Sequence, residues 1–231
     1  MIPIKENLAS IQDRIISAAR RAGRDPASVS LVAVSKKKPL SAVLEAASAG
    51  QKIFGENYLQ DAKEKILACP EKLSWHFIGH VQSNKAKAVA ELFDMVETVD
   101  RLKLARALDK HARNCDRILS VLLQVNVGRD PKKSGVMPED IEPLLTGISE
   151  FTNLRLKGFM TITPFMANPE DVRPFFGRLR RLAEDFQERG FFADLDQVQL
   201  SMGMSADFEI AIEEGATLVR VGTALFGPRP V

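Results

Sequence analysis

Lys36 ends the run Leu-Val-Ala-Val-Ser-Lys, and strand alternation puts it on the same face as Val32 and Val34. If that face lines the inside of a barrel, the ammonium is partly desolvated and its pKa falls. A free amine for imine formation is then present near neutral pH. The opposing reading takes Lys36, Lys37 and Lys38 as a solvated run before a helix that starts at Pro39. A second group of residues lies far along the chain, where Leu-Ser-Met-Gly-Met-Ser covers 200–205 and Val-Arg-Val-Gly-Thr covers 219–223. Gly222 permits close backbone approach, Ser201 and Thr223 offer hydroxyl donors, and Arg220 offers charge. Together they suit a phosphate. Asp207 and Glu209 would repel an anion from the helix start after Ser205, so the anion is expected nearer Gly222 and Thr223.

Three further places carry chemistry-bearing types. Glu56, Asn57 and Tyr58 sit together after an apolar run, where Asn57 suits either a helix cap or a ligand contact. His76 and His80 have zinc spacing only if they share a helix, and this stretch reads as strand and loop, with Ser83 as the next helix cap. A metal site is therefore not expected. Cys69 and Cys115 have no partner at ligand spacing and imply neither zinc nor a disulfide framework, which fits a reducing cytoplasm. Lys63, Lys65, Lys85 and Lys87 read as solvated helix faces.

The elements that must position these groups alternate regularly. Apolar residues at helical spacing from Ile4 to Ala19 predict an opening helix, stopped at Gly23. Strands are then predicted over 31–36, 52–55, 75–79, 95–99, 118–127, 154–162, 197–202 and 218–221. Helices are predicted between them over 40–49, 58–68, 83–92, 102–113, 138–147, 172–190 and 206–214. Eight strands separated by helices point to a single α/β domain over 1–231, a (β/α)8 TIM-type barrel with an extra N-terminal helix. Neither a Gly-x-Gly-x-x-Gly after a strand nor a Gly-x-x-x-x-Gly-Lys is present, which disfavours the familiar open nucleotide-binding sheets. In such a barrel, strand C-termini face the active-site mouth and phosphate often sits after strands seven and eight. Lys36 and the second group would thus meet across the seam.

Composition narrows the class. With 231 residues, 45% hydrophobic and 27% charged, the chain is ordinary globular protein, large enough for a substantial core. Thirty-two basic against 30 acidic residues leave a formal charge of only +2, so nucleic acid is not an expected partner. The longest uncharged apolar-rich run, 118–128, is too short to span a membrane, and the N-terminus does not read as a signal peptide.

Six motifs, Ala33-Val34-Ser35-Lys36, Gly55-Glu56-Asn57-Tyr58, His76-Phe77-Ile78-Gly79-His80, Gln82-Ser83-Asn84-Lys85, Ser201-Met202-Gly203-Met204-Ser205 and Arg220-Val221-Gly222-Thr223, occur in order over nearly the whole chain. Together they resemble the pyridoxal phosphate homeostasis protein family, which is related to the barrel domain of alanine racemase. The resemblance implies pyridoxal 5′-phosphate held as a Schiff base on Lys36, with Ser201, Gly222 and Thr223 on the phosphate. It places Arg220 against either the phosphate or the pyridine nitrogen, and Asn57 and Met202 along the cofactor. Lys37-Lys38 departs from the family, whose members often have a small polar residue after the lysine.

Racemisation needs a base on each face of the substrate carbon, and Lys36 supplies one. In alanine racemase the opposing base is a partner subunit's tyrosine, and a C-terminal β-domain is added. Here the only tyrosine is Tyr58, and the sequence stops soon after the eighth predicted strand. Arg220 beside the pyridine nitrogen would also weaken the ring as an electron sink. The expectation is a monomeric, cytoplasmic protein that stores, buffers or delivers the cofactor to apo enzymes. A weak racemase or other cofactor-dependent enzyme is the alternative, followed by a cofactor-free class I aldolase.

Overall fold

The computed structural model describes residues 3–192 and 194–228, so the outermost residues of the predicted 1–231 domain lie outside the described range. The strands are β1 (Ser30–Val34), β2 (Ile53–Glu56), β3 (Ser74–Phe77), β4 (Met95–Val99), β5 (Leu119–Gln124), β6 (Leu154–Met160), β7 (Gln199–Ser201) and β8 (Leu218–Val221). They pair in parallel in sequence order, and β1 pairs with β8 through Ser30 opposite Leu218 and Val32 opposite Arg220, closing the barrel. The helices are α1 (Ile4–Arg21), α2 (Leu40–Ser48), α3 (Leu59–Ala68), α4 (Ala86–Leu92), α5 (Leu102–Asn114), α6 (Ile141–Ser149), α7 (Arg173–Glu188), α8 (Phe208–Glu213) and α9 (Thr223–Phe226). This is the predicted (β/α)8 barrel with its N-terminal helix.

Period-two alternation sorts each strand between two cores. Leu31, Ala33, Trp75, Phe77, Leu200, Val219 and Val221 face outward into the layer shared with the helices. Val32, Met95, Leu122, Met160 and Leu218 fill the barrel interior. Two residues further along their strands, Glu97 follows Met95 and Arg220 follows Leu218, so a polar layer lies above an apolar one on the C-terminal side. α1 has no barrel strand of its own to cover. It buries Leu8, Ile11, Ile15, Ala18 and Ala19, and is tied to the end of the chain by Asn7 Nδ2 donating to Leu225 O (3.0 Å) and by an Arg14–Glu209 ion pair (2.7 Å).

The predicted boundaries shift at several mouth-side ends. β1 stops at Val34, two residues before Lys36, because Lys38 N turns back to Ser35 O and Lys37 takes a left-handed φ of 59°. β7 is only three residues long because Gly203 breaks the strand. The predicted helices at 83–92 and 138–147 each open with one tight 3-10 turn, at Ser83–Lys85 and Pro138–Asp140, before α4 and α6 begin. Ser83 makes no capping bond, and the four-residue α9 was not expected. Among the described residues no helix is long and apolar enough to cross a membrane.

Candidate functional site

A cavity of about 260 Å³ opens at the C-terminal end of the barrel. Lys36, Asn57, Arg220, Gly222 and Thr223 line it, together with Val34, Ile78, Ile162, Met204, Ser205 and Ala206. Size alone would favour a shallower cleft of about 490 Å³ beside Leu102 and Leu144. That cleft holds no lysine, and its arginine, Arg101, is committed to Asp100 and the Val81 carbonyl. The smaller cavity is where the chemistry gathers, and it joins the two sequence regions that the barrel was expected to bring together.

Each lining group is delivered by its strand end. Val34, two residues beyond the interior Val32, turns its side chain to the cavity, and half-buried Lys36 follows it in the turn after β1. Asn57 leaves β2; Tyr58, not Asn57, occupies the cap position of α3, and neither supplies a capping bond. The Asn57 Oδ1 atom is buried with no hydrogen-bond partner. Gly203, at φ 89°, carries Met204–Ala206 into the lining; a Cβ there would lie 2.5 Å from Ala211 Cβ. Gly79 rests directly on the Asn57 backbone, where an added Cβ would lie 2.2 Å from the carbonyl oxygen, while Thr98 Oγ1 donates to Gly79 O (2.6 Å). Gly79→Ala is therefore expected to cost about 1–3 kcal/mol and to displace Asn57. Urea unfolding measures the cost, and an unchanged midpoint would show that the loop yields freely.

Below the cavity, one hydrogen-bonded chain crosses the barrel. Arg220 donates to Ser201 Oγ (2.6 Å) and to Thr161 O (2.8 Å); Ser201 Oγ donates to Glu97 Oε2 (2.5 Å); the His76 Nδ1–H donates to Glu97 Oε1 (2.7 Å). All four side chains are buried. Burial alone would push the Glu97 carboxyl up. The bonds from His76 and Ser201 and the charges of His76 and Arg220 outweigh it and hold the group below the usual carboxylate range. Burial lowers the Arg220 pKa, with Glu97 and Asp207 opposing the shift.

This geometry changes the expected roles of two residues. Ser201 and Met202 do not line the cavity. The single hydroxyl hydrogen of Ser201 goes to Glu97, so Ser201 orients Arg220 rather than offering a donor to an anion. Met202 is fully buried in the layer between sheet and helices. The repelling carboxylates near Ser205 are also engaged, since Asp207 accepts from Met204 N and Glu209 pairs with Arg14. Ser205 and Met204 enter the lining unforeseen, although both lie in the 200–205 stretch.

His76 is a strand residue bound to Glu97, His80 is exposed, and no group of three His, Cys, Asp or Glu among the described residues could hold a metal. Lys65 contradicts the solvated-face expectation. It is 5% exposed, and its Nζ donates to Ser35 O, Glu56 Oε1 and Asp61 Oδ2, each at 2.8 Å. Burial raises the Glu56 pKa by more than the bonds from Lys65 and Ser35 lower it.

A family profile described as the alanine racemase N-terminal domain matches residues 7–230. A "Pyridoxal phosphate homeostasis protein" of Pseudomonas aeruginosa is 48% identical over 99% of this chain and 97% of its own length. The chain belongs to the pyridoxal phosphate homeostasis protein family. The Escherichia coli K12 protein of the same name is 43% identical over 99% of this chain and 98% of its own. Among solved structures, that of PipY from Synechococcus elongatus, described with PLP bound, superposes with a TM-score of 0.84 at 38% identity, covering 97% of this chain and all of that one. The chain thus covers nearly the whole length of each of these three relatives, and it shares its barrel with PipY.

Proposed function

We propose that the chain as a whole is one cofactor-binding unit, a monomer that retains pyridoxal 5′-phosphate covalently through Lys36 and stores, buffers or delivers it inside the cell. One observation carries the reading: a lysine in the turn after β1 and the loops after β7 and β8 share a single cavity with a buried arginine. When bound, the cofactor supplies an aldehyde that condenses reversibly with a primary amine and a phosphate that needs an anion site. The lining fits both demands. Lys36 offers the amine, while Ser205, Gly222 and Thr223 stand where barrels of this type hold phosphate. Asn57 Oδ1, buried and without a partner, is suited to a donor on the bound group. PipY, described with PLP bound, shares this fold and supports the assignment.

The lining also supports holding over catalysis. Among the described residues its side chains include no Asp, Glu, His, Cys or Tyr to serve as a second proton-transferring group opposite Lys36. Tyr58 is 51% exposed and outside the lining, with Lys37 Nζ 5.9 Å from its ring. Arg220 holds a positive charge against the cavity through its backing by Ser201 and Glu97. Arg220→Gln is expected to weaken cofactor retention roughly tenfold to a hundredfold. The fold should survive, because Glu97 keeps His76 as its partner. Equilibrium dialysis showing unchanged retention would remove Arg220 from the site.

The deciding experiment is a near-visible titration of the purified chain with pyridoxal phosphate, followed by borohydride reduction and peptide mapping. An adduct on Lys36 is expected; its absence overturns the reading and moves the aldolase alternative ahead. Delivery is tested by mixing the loaded protein with an apo acceptor enzyme. Transfer faster than spontaneous release means delivery, transfer at the release rate means buffering, and rapid Lys36-dependent turnover of an amino acid would replace both with catalysis.

A further inference from the structure

The buried cluster on α3 reaches the backbone on both sides of Lys36. On one side, Lys65 Nζ donates to Ser35 O (2.8 Å), and Ser35 Oγ donates to Glu56 Oε1 (2.7 Å). On the other, Lys37 N donates to Asp61 Oδ2 (3.1 Å), the same oxygen that accepts from Lys65. Three ammonium hydrogens meet three acceptors, so Lys65 has no donor left for a ligand. Glu56 Oε2 is buried without a hydrogen-bond partner, and Lys65 is the cation paired with that carboxylate through Oε1. Lys37 is held at φ 59°, a conformation that L-residues adopt only under constraint, and its N–H is one of the groups so held.

We propose that Lys65 and Asp61 are positioning residues for Lys36: through Ser35 O and Lys37 N they fix the turn that aims its amine into the cavity. The proposal rests on the reading of Lys36 as the attachment point and adds what sets its rate of attachment. Neither residue lines the cavity, so neither contributes to holding the phosphate or the ring. The effect is confined to the bond-forming step, where a small misplacement of a reacting atom is costly.

Pyridoxine 5′-phosphate separates the two effects, because an alcohol replaces the aldehyde and no bond to Lys36 can form. Stopped-flow absorbance with pyridoxal phosphate gives the attachment rate, and calorimetry with pyridoxine phosphate gives pocket affinity. Asp61→Ala removes a half-exposed side chain. The double variant Glu56→Gln/Lys65→Met removes both buried charges together and strands neither. Each is expected to slow attachment about tenfold or more while pyridoxine phosphate affinity stays within about twofold. An attachment rate within about twofold of the wild type in both variants overturns the proposal. So does a parallel loss of attachment, analogue affinity and thermal stability, which is the signature of a structural role. A wild-type chain that develops no near-visible band refutes the cofactor reading itself. A normal wild-type band with unaltered variants refutes only the positioning role.

Discussion

Glu97→Ala is expected to lower the free energy of unfolding by about 3–5 kcal/mol, the cost of leaving a buried charge without its partner. Glu97 is fully buried and accepts both the His76 ring hydrogen and the Ser201 hydroxyl hydrogen. Removing it strands two donors, opens a void, and leaves Asp207 as the remaining negative charge that opposes the cost of burying the Arg220 guanidinium. Arg220→Gln is milder, since Glu97 then still has His76. Glu97→Gln, which keeps the shape and loses the charge, should fall between wild type and Glu97→Ala. The carboxyl is held below its ordinary range in the fold. Its contribution is therefore complete above the unfolded pKa and disappears as pH falls through the lower folded value. Urea unfolding at neutral and acidic pH tests both statements. The barrel-crossing chain would be energetically idle if Glu97→Ala cost less than about 1 kcal/mol.

Lys36→Ala is expected to abolish the near-visible band and the borohydride-trapped peptide, and to lower cofactor retention at least about a hundredfold. A covalent bond is exchanged for the anion contacts alone. The fold should be unaffected within about 0.5 kcal/mol, because Lys36 is a half-buried turn residue. The contacts from Lys65 and Asp61 reach its neighbours' main chain, which the substitution leaves in place. Lys37 and Lys38 are the neighbouring amines in sequence; Lys37 Nζ lies 5.9 Å from the Tyr58 ring, and Lys38 Nζ donates to Phe226 O (2.9 Å) and Pro228 O (2.8 Å). A retained band with the trapped adduct mapped to Lys37 or Lys38 would transfer the assignment to that residue.

The barrel was legible because its signals are periodic. Eight alternating segments and the ordered motifs placed Lys36, Asn57, Arg220, Gly222 and Thr223 at one mouth, and all five line the cavity. What could not be read depends on partners remote in sequence. Ser201 has the chemistry of a phosphate donor, but Glu97, over a hundred positions earlier, takes its only hydrogen. Glu97 itself carried a detectable signal as a carboxylate in the middle of the apolar strand Met95–Val99, where burial demands compensation. Lys65 gave no such warning. Its spacing to Asp61 is that of any exposed i, i+4 pair, and only the packing of α3 over the ends of β1 and β2 makes it a buried cation. Helix ends were displaced where tight 3-10 turns precede α4 and α6, a choice that hydrophobic spacing does not encode.

The β1–β8 seam sets an order of events on the growing polypeptide. β1 is made early, yet one of its two neighbours is the last strand of the barrel to emerge, so the sheet stays open along that edge until β8 has been made. Lys36 and the Arg220–Thr223 segment lie on opposite sides of the opening. A half-made or misclosed chain keeps Lys36 apart from the Arg220–Thr223 segment. On the proposed reading the cofactor would bind only after the ring has closed, and by mass action it would then keep the ring closed. Cofactor supply and the yield of intact protein are then expected to be linked, with scarcity of the first lowering the second.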